Sequence, residues 1–165
     1  MTDLVQLSQY KKFVVVPTLQ ILGKAKASLN NQASINLLTG TALVESDLTY
    51  IYQVPNGPAI GLDQMEPLTL EDQFSTFLDY PANYVLRASI ESLSIASLTY
   101  EQNLYGNAFF ACAMARIKYY RSPDPLPNAT DAQGLADYHK SIYNSALGAA
   151  DVVANTAKFQ LAISA

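Results

Sequence analysis

Tryptophan is absent, cysteine and histidine occur once each, and only 15% of the 165 residues are charged. Each scarcity excludes something. A lone Cys112 rules out an intramolecular disulfide, so no oxidising compartment is required. A lone His139 rules out a histidine-rich metal site, and no metal is expected. With no phosphate loop and no dinucleotide fingerprint, no cofactor is expected either. The net charge of −4 argues against nucleic-acid binding, which needs a basic stripe. It also argues against an enzyme steered electrostatically to anionic cell walls. No apolar run approaches the roughly 18 residues of a membrane helix, so no membrane insertion is expected. Phe13-Val14-Val15-Val16 is short and stops at Pro17. The start lacks the basic, apolar and small-residue segments of a signal peptide, which predicts a cytosolic product.

What is present is a large apolar fraction, 50% of the residues, enough for a sizeable core and against disorder. The length suits one domain over 1–165, with 1–30 as an arm or first helix. Eleven tyrosines supply rings with a polar end, useful in sugar grooves and subunit contacts.

The pattern predicts an all-α, mainly helical chain. A short helix is expected over Thr18 to Ala27, after Pro17. Asn31 is a good N-cap for a helix from Gln32 to about Glu45. Ser46 to Leu68 carries Pro55, Gly57, Pro58, Gly61 and Pro67, and reads as loop or a short β-hairpin. Thr69 opens a short helix to about Leu78, and Pro81 breaks it. Ala82 to about Ser97 reads as helix again. Leu104, Ala108, Ala111, Cys112, Ala115 and Tyr119 share one helical face, which predicts a central buried helix. Pro123, Pro125 and Pro127 end it. Asp131 caps a helix to about Tyr143, Gly148 stops, and Asp151 caps a final helix carrying Val152, Val153 and Phe159.

Glu45 is the candidate for chemistry. Ile35, Leu38, Ala42 and Glu45 fall on one face, so the carboxylate sits on the apolar side of its helix. Partial burial and the negative helix end both disfavour its charged form. A carboxyl so placed can keep a proton for a leaving group. The competing reading is a frayed helix end with Glu45 turned to water.

The run Gly57-Pro58-Ala59-Ile60-Gly61-Leu62-Asp63-Gln64-Met65-Glu66-Pro67, after Glu45-Ser46, resembles the signature of soluble lytic transglycosylases and goose-type lysozymes. That signature is a Glu-Ser pair at a helix end followed by Gly-x-x-Gly-Leu-Met-Gln-x-x-Pro. Tyr143-Asn144-Ser145-Ala146-Leu147-Gly148 is similar to the family's later Tyr-Asn element. The stretch from Leu43 to Gly148 looks like phage-encoded lysozyme-like proteins. The resemblance implies a lysozyme-like fold and cleavage between N-acetylmuramic acid and N-acetylglucosamine. Glu45 would be the general acid, then the base on the sugar's own hydroxyl or on water. Gly61 would let the sugar approach the backbone, and Ser46 would belong to the substrate-binding set. Leu62 and Gln64 would line the groove. Tyr143 and Asn144 would touch the sugar or hold Glu45.

The family's Met is Asp63 here, which could be a second carboxylate, a solvated loop residue, or the mark of a groove that no longer binds sugar. Asp47 and Glu66 are expected to be surface charges, His139 a surface residue, and Cys112 an inert core thiol. Two functions follow. One is a glycosidase acting on peptidoglycan strands, located in a phage particle among other virion proteins. The other is an inactive structural or adaptor protein of the virion, with the apolar segments Phe13 to Val16 and Phe159 to Ile163 as assembly contacts. A third is an accidental motif match, which predicts that Glu45 and Gln64 lie far apart.

Overall fold

The computed structural model describes residues 4–143 and 152–165. The expected all-α class holds: the described residues are mainly helical and form no sheet. The expected stop at Gly148 and cap at Asp151 lie outside the described residues, as does the site candidate Asn144.

The first helical stretch begins earlier than the sequence suggested. Helix α1 (Leu4–Tyr10) runs through a wide π turn (Lys11–Val15) into α2 (Val16–Ala25). Pro17 therefore does not open the helix; the helix passes through it. The Val16 amide reaches back to the Lys11 carbonyl, so the ladder shifts register just before the residue that has no N–H to give. Leu7, Val15, Leu19 and Leu22 turn inward. Of the apolar stretches expected as assembly contacts, Phe13 is exposed, but Val15 and Phe159 are fully buried core residues.

Helix α3 (Gln32–Ser46) starts as expected, with Asn31 Oδ1 accepting the Ser34 amide at 2.9 Å. It is buried on nearly every side, from Ser34 through Leu43. Its end is held from outside: Lys158 Nζ donates to the Leu43 carbonyl at 3.0 Å and meets Asp47 Oδ1 at 2.7 Å.

The loop that follows pairs with itself briefly, through antiparallel bridges Tyr52 to Ile60 and Ile60 to Met65. Helix α4 (Pro67–Gln73) starts at Pro67, not Thr69, because proline suits the first helical position. A second π turn (Phe74–Leu78) ends it at the expected residue. Helix α5 (Tyr84–Glu91) is shorter than predicted. Ser92 and Ser94 hydroxyls donate to the Ser89 and Glu91 carbonyls, offering the backbone an alternative to further helix.

The predicted central helix is two helices, α6 (Tyr100–Gly106) and α7 (Ala108–Tyr120). Asn107 separates them: its Oδ1 accepts the Phe109 and Phe110 amides and its Nδ2 donates to the Leu93 carbonyl. Helix α7 is buried from Phe110 to Ile117. That includes Arg116, whose Nε donates to the Leu29 carbonyl at 3.1 Å. Helix α8 (Ala132–Ile142) is capped by Asp131, as expected. Helix α9 (Val152–Ser164) packs against α3 and α8.

One close approach fixes that last packing. A Cβ on Gly40 would stand 2.2 Å from ring carbons of Phe159, which is fully buried. Gly40→Ala is therefore expected to cost about 1–3 kcal/mol by overpacking, despite the usual gain of alanine within a helix. Urea unfolding checks this; a variant as stable as the wild type would show that α9 yields.

Candidate active site

Glu45 lies in the last turn of α3. Leu38 and Ala42 below it are sealed, and its own side chain is 17% exposed. The helix continues through Ser46, so the end is not frayed. The carboxylate opens into a cavity of about 210 Å³ together with Gln53, Gln64, Glu66, Lys118 and Tyr143. Glu45 and Gln64 are thus neighbours, and the outcome expected of an accidental match is not met.

The other candidates divide. Gln64 keeps a left-handed backbone (φ 45°), and its Nε2 donates to the Gly61 carbonyl at 2.7 Å. Tyr143 donates its hydroxyl to the Asp63 carbonyl at 2.7 Å and stacks near His139. It accepts Lys118 Nζ on its own carbonyl at 2.8 Å. So Tyr143 pins the loop and lines the cavity.

Ser46 does not face the cavity. It is buried, and its Oγ lies within hydrogen-bond reach of the Leu62 and Ala42 carbonyls while accepting the Leu48 amide. It ties the end of α3 to the loop. Gly61 also has a packing reason: φ is 78°, and a Cβ there would come within 2.1 Å of the Leu104 carbonyl oxygen. That approach is to α6, not to a ligand. Leu62 lines a different cavity, with Gln6, Tyr10, Phe13 and Leu48.

Asp63 corrects the solvated reading. It is 1% exposed, its Oδ1 has no hydrogen-bond partner among the described residues, and Tyr10 Oη lies 3.5 Å from its Oδ2. Burial, and then the charge of Glu45, push its carboxyl up to about 7; the weak Tyr10 bond works the other way. Asp47 and Glu66 are surface charges as expected, Asp47 paired with Lys158. Cys112 is the expected core thiol, pushed well up by burial.

The expected surface position of His139 is wrong: it is fully buried, beside Glu45. Its Nε2 stands 3.0 Å from Glu45 Oε1. The approach is not aligned as a hydrogen bond, and among the described residues neither atom has a hydrogen-bond partner. On the other side Nδ1 is 2.8 Å from Tyr119 Oη. The signal was present in the spacing: Ala132, Leu135, Ala136 and His139 share one face of α8, Tyr143 follows just past its end, and all are buried. Lys118 was missed too. Burial lowers its ammonium, and the charges of Glu45 and Glu66 oppose that.

Among the described residues no helix is long and apolar enough to cross a membrane. Compared with protein-family models, with curated proteins and with solved structures, the chain matches none.

Proposed function

We propose that this chain is a peptidoglycan-cleaving glycosidase of lysozyme-like fold, a lytic transglycosylase or lysozyme carried by a phage particle. The observation that carries the reading is the convergence of Glu45, Gln64 and Tyr143 on one cavity, from the three segments that bear the resemblance. Glu45 protonates the glycosidic oxygen as the bond breaks. The substrate's acetamido group assists departure, so no second enzyme carboxylate is needed. That suits a site in which Asp63 is sealed away from the cavity. Glu45 then takes a proton from the sugar's own hydroxyl, giving an anhydro product, or from water.

The test is digestion of purified peptidoglycan, with mass spectrometry of the products. Anhydro-sugars identify a transglycosylase and reducing ends a lysozyme. No release by folded protein, across several wall types and pH values, sinks the enzymatic reading.

One observation favours the second reading, an inactive structural or adaptor protein of a virion. A groove of about 450 Å³, larger than the Glu45 cavity, lies elsewhere, lined by Leu68, Leu70, Phe74, Arg87 and Tyr100. Leu68 is largely exposed, and α5, which supplies Arg87, leaves Tyr84 and Val85 exposed as well. Such a surface suits contacts with other particle proteins.

A further inference from the structure

Arg116, in α7, is a buried cation that no carboxylate neutralises among the described residues. It is 2% exposed. The other arginines are more exposed, yet both are paired: Arg87 with Asp79 and Glu91, Arg121 with Asp72. Arg116 Nε donates to the Leu29 carbonyl at 3.1 Å, and Nη2 to the Ser28 carbonyl at 3.4 Å. Both acceptors are uncharged. Nη1 makes no hydrogen bond among the described residues, and it is not sealed. Burial lowers the guanidinium to about 10, which leaves it charged at neutral pH, and the groups that oppose this shift are phenols and a thiol. Buried charges are normally paired, because an unpaired one is costly to desolvate.

Arg116 lines a pocket of about 200 Å³. Sites for drug-sized ligands run to roughly 300–1,000 Å³, so a smaller group suits this one. Ser28 reaches the pocket from the turn after α2, Tyr120 from the end of α7, and Ser122 and Asp124 from the segment that follows. The Ser28 hydroxyl makes no hydrogen bond among the described residues. Nor does that of Tyr120, whose ring contacts are to Phe77, Lys26 and Arg116. Two cations thus stand by one ring: Lys26 Nζ is 5.3 Å and Arg116 Cζ 5.7 Å from its centre. Asp124 is the opposing charge in the lining. It is exposed and pairs with neither cation, and its backbone is held by Ser122 Oγ and the Tyr138 hydroxyl.

We propose that this pocket binds a phosphate group, free or as an ester, with Arg116 as its principal ligand. Nη1 supplies charge-assisted hydrogen bonds to the oxygens, which are stronger than neutral ones. The Ser28 and Tyr120 hydroxyls come from separate elements. Donors so dispersed suit a tetrahedral group with oxygens in several directions, where a carboxylate offers two in one plane. A phosphate group also carries close to two charges at neutral pH, matched by Arg116 and Lys26. The pocket shares no lining residue with the Glu45 cavity, so the site is independent of the glycosidase reading.

The test is a titration of the nitrogen-labelled full chain with inorganic phosphate, balanced with chloride to constant ionic strength. Saturable shifts are expected at Arg116 Nε–H and at the Ser28 amide, while the paired Arg87 and Arg121 stay still. Acetate is expected to bind at least about tenfold more weakly. Ser28→Asp brings a carboxylate to the guanidinium from an exposed position, so the fold should survive and phosphate binding fall at least about tenfold. Asp124→Asn should tighten binding, since it removes the opposing charge. Movement that does not saturate, equal binding of acetate, or a Ser28→Asp variant that binds like the wild type overturns the proposal. Glycerol phosphate separates the sources: tighter binding than inorganic phosphate marks an ester, weaker binding the free ion. A chain that binds phosphate but cleaves no wall keeps this site and sinks the glycosidase; one that cleaves without binding phosphate does the reverse.

Discussion

Glu45→Gln is expected to reduce peptidoglycan cleavage by roughly a hundred- to ten-thousand-fold, the contribution of a positioned acid–base group. Glutamine has nearly the same shape, and the side chain is partly open to the cavity, so the fold should survive. The loss should fall on the chemical step, with binding of glycan fragments retained, because Gln64 and Tyr143 are untouched. A rate within a few-fold of the wild type would move the proton donor elsewhere. The same substitution carries a second signature. Glu45 is one of the two causes that hold Asp63 up, so its neutralisation should let Asp63 ionise at lower pH.

Asp63→Asn is the other large effect, and it appears in stability rather than rate. The native chain keeps the Asp63 proton up to about pH 7, while the ordinary carboxyl value is 3.8. The folded state therefore binds more protons than the unfolded one between these limits, and stability falls as pH rises through them. Stability from this group is full below about pH 4. Above about pH 7 a penalty on the order of 4 kcal/mol is present, at about 1.4 kcal/mol per pH unit. Asparagine carries no charge at any pH. The variant should match the wild type near pH 4, exceed it clearly at pH 8, and show a flatter profile between. Asp72 and Glu91, held low by Arg121 and Arg87, titrate in acid in both proteins and cancel in the comparison. Parallel urea midpoints across that range would remove Asp63 as the cause.

Local signals in the sequence were read well because their physics is local. The side chains of Asn31 and Asp131 cap helices that the apolar pattern already delimited. Proline was harder. Pro17 stands inside a helix because a π turn prepares the backbone before it, and nothing in the hydropathy marks that turn. Asn107 divides a face whose periodicity continues across the division, so spacing alone joined α6 to α7. Glu45, Gln64 and Tyr143, picked out through the motif resemblance, line one cavity. Ser46, Gly61 and Leu62 share the motif but serve the packing of the loop on α3, α6 and the first helix. Burial of a loop carboxylate such as Asp63 depends on Tyr10 and Tyr143, which come from distant parts of the chain. His139, between Tyr138 and Lys140, was judged by its polarity when its helical face was the better guide.

The wedge of Phe159 between Gly40 and His139 also sets the order in which the molecule can be completed. During synthesis α3 leaves the ribosome long before α9, and the Lys158 bond to the Leu43 carbonyl spans 115 positions. Contacts of that range are late because their loop must close first. Until α9 arrives, the groove over Gly40 is open and the imidazole behind Glu45 lacks its outer wall. The nascent chain thus carries Glu45, Gln64, Lys118 and Tyr143 before α9, and the wall behind His139 closes only when α9 docks.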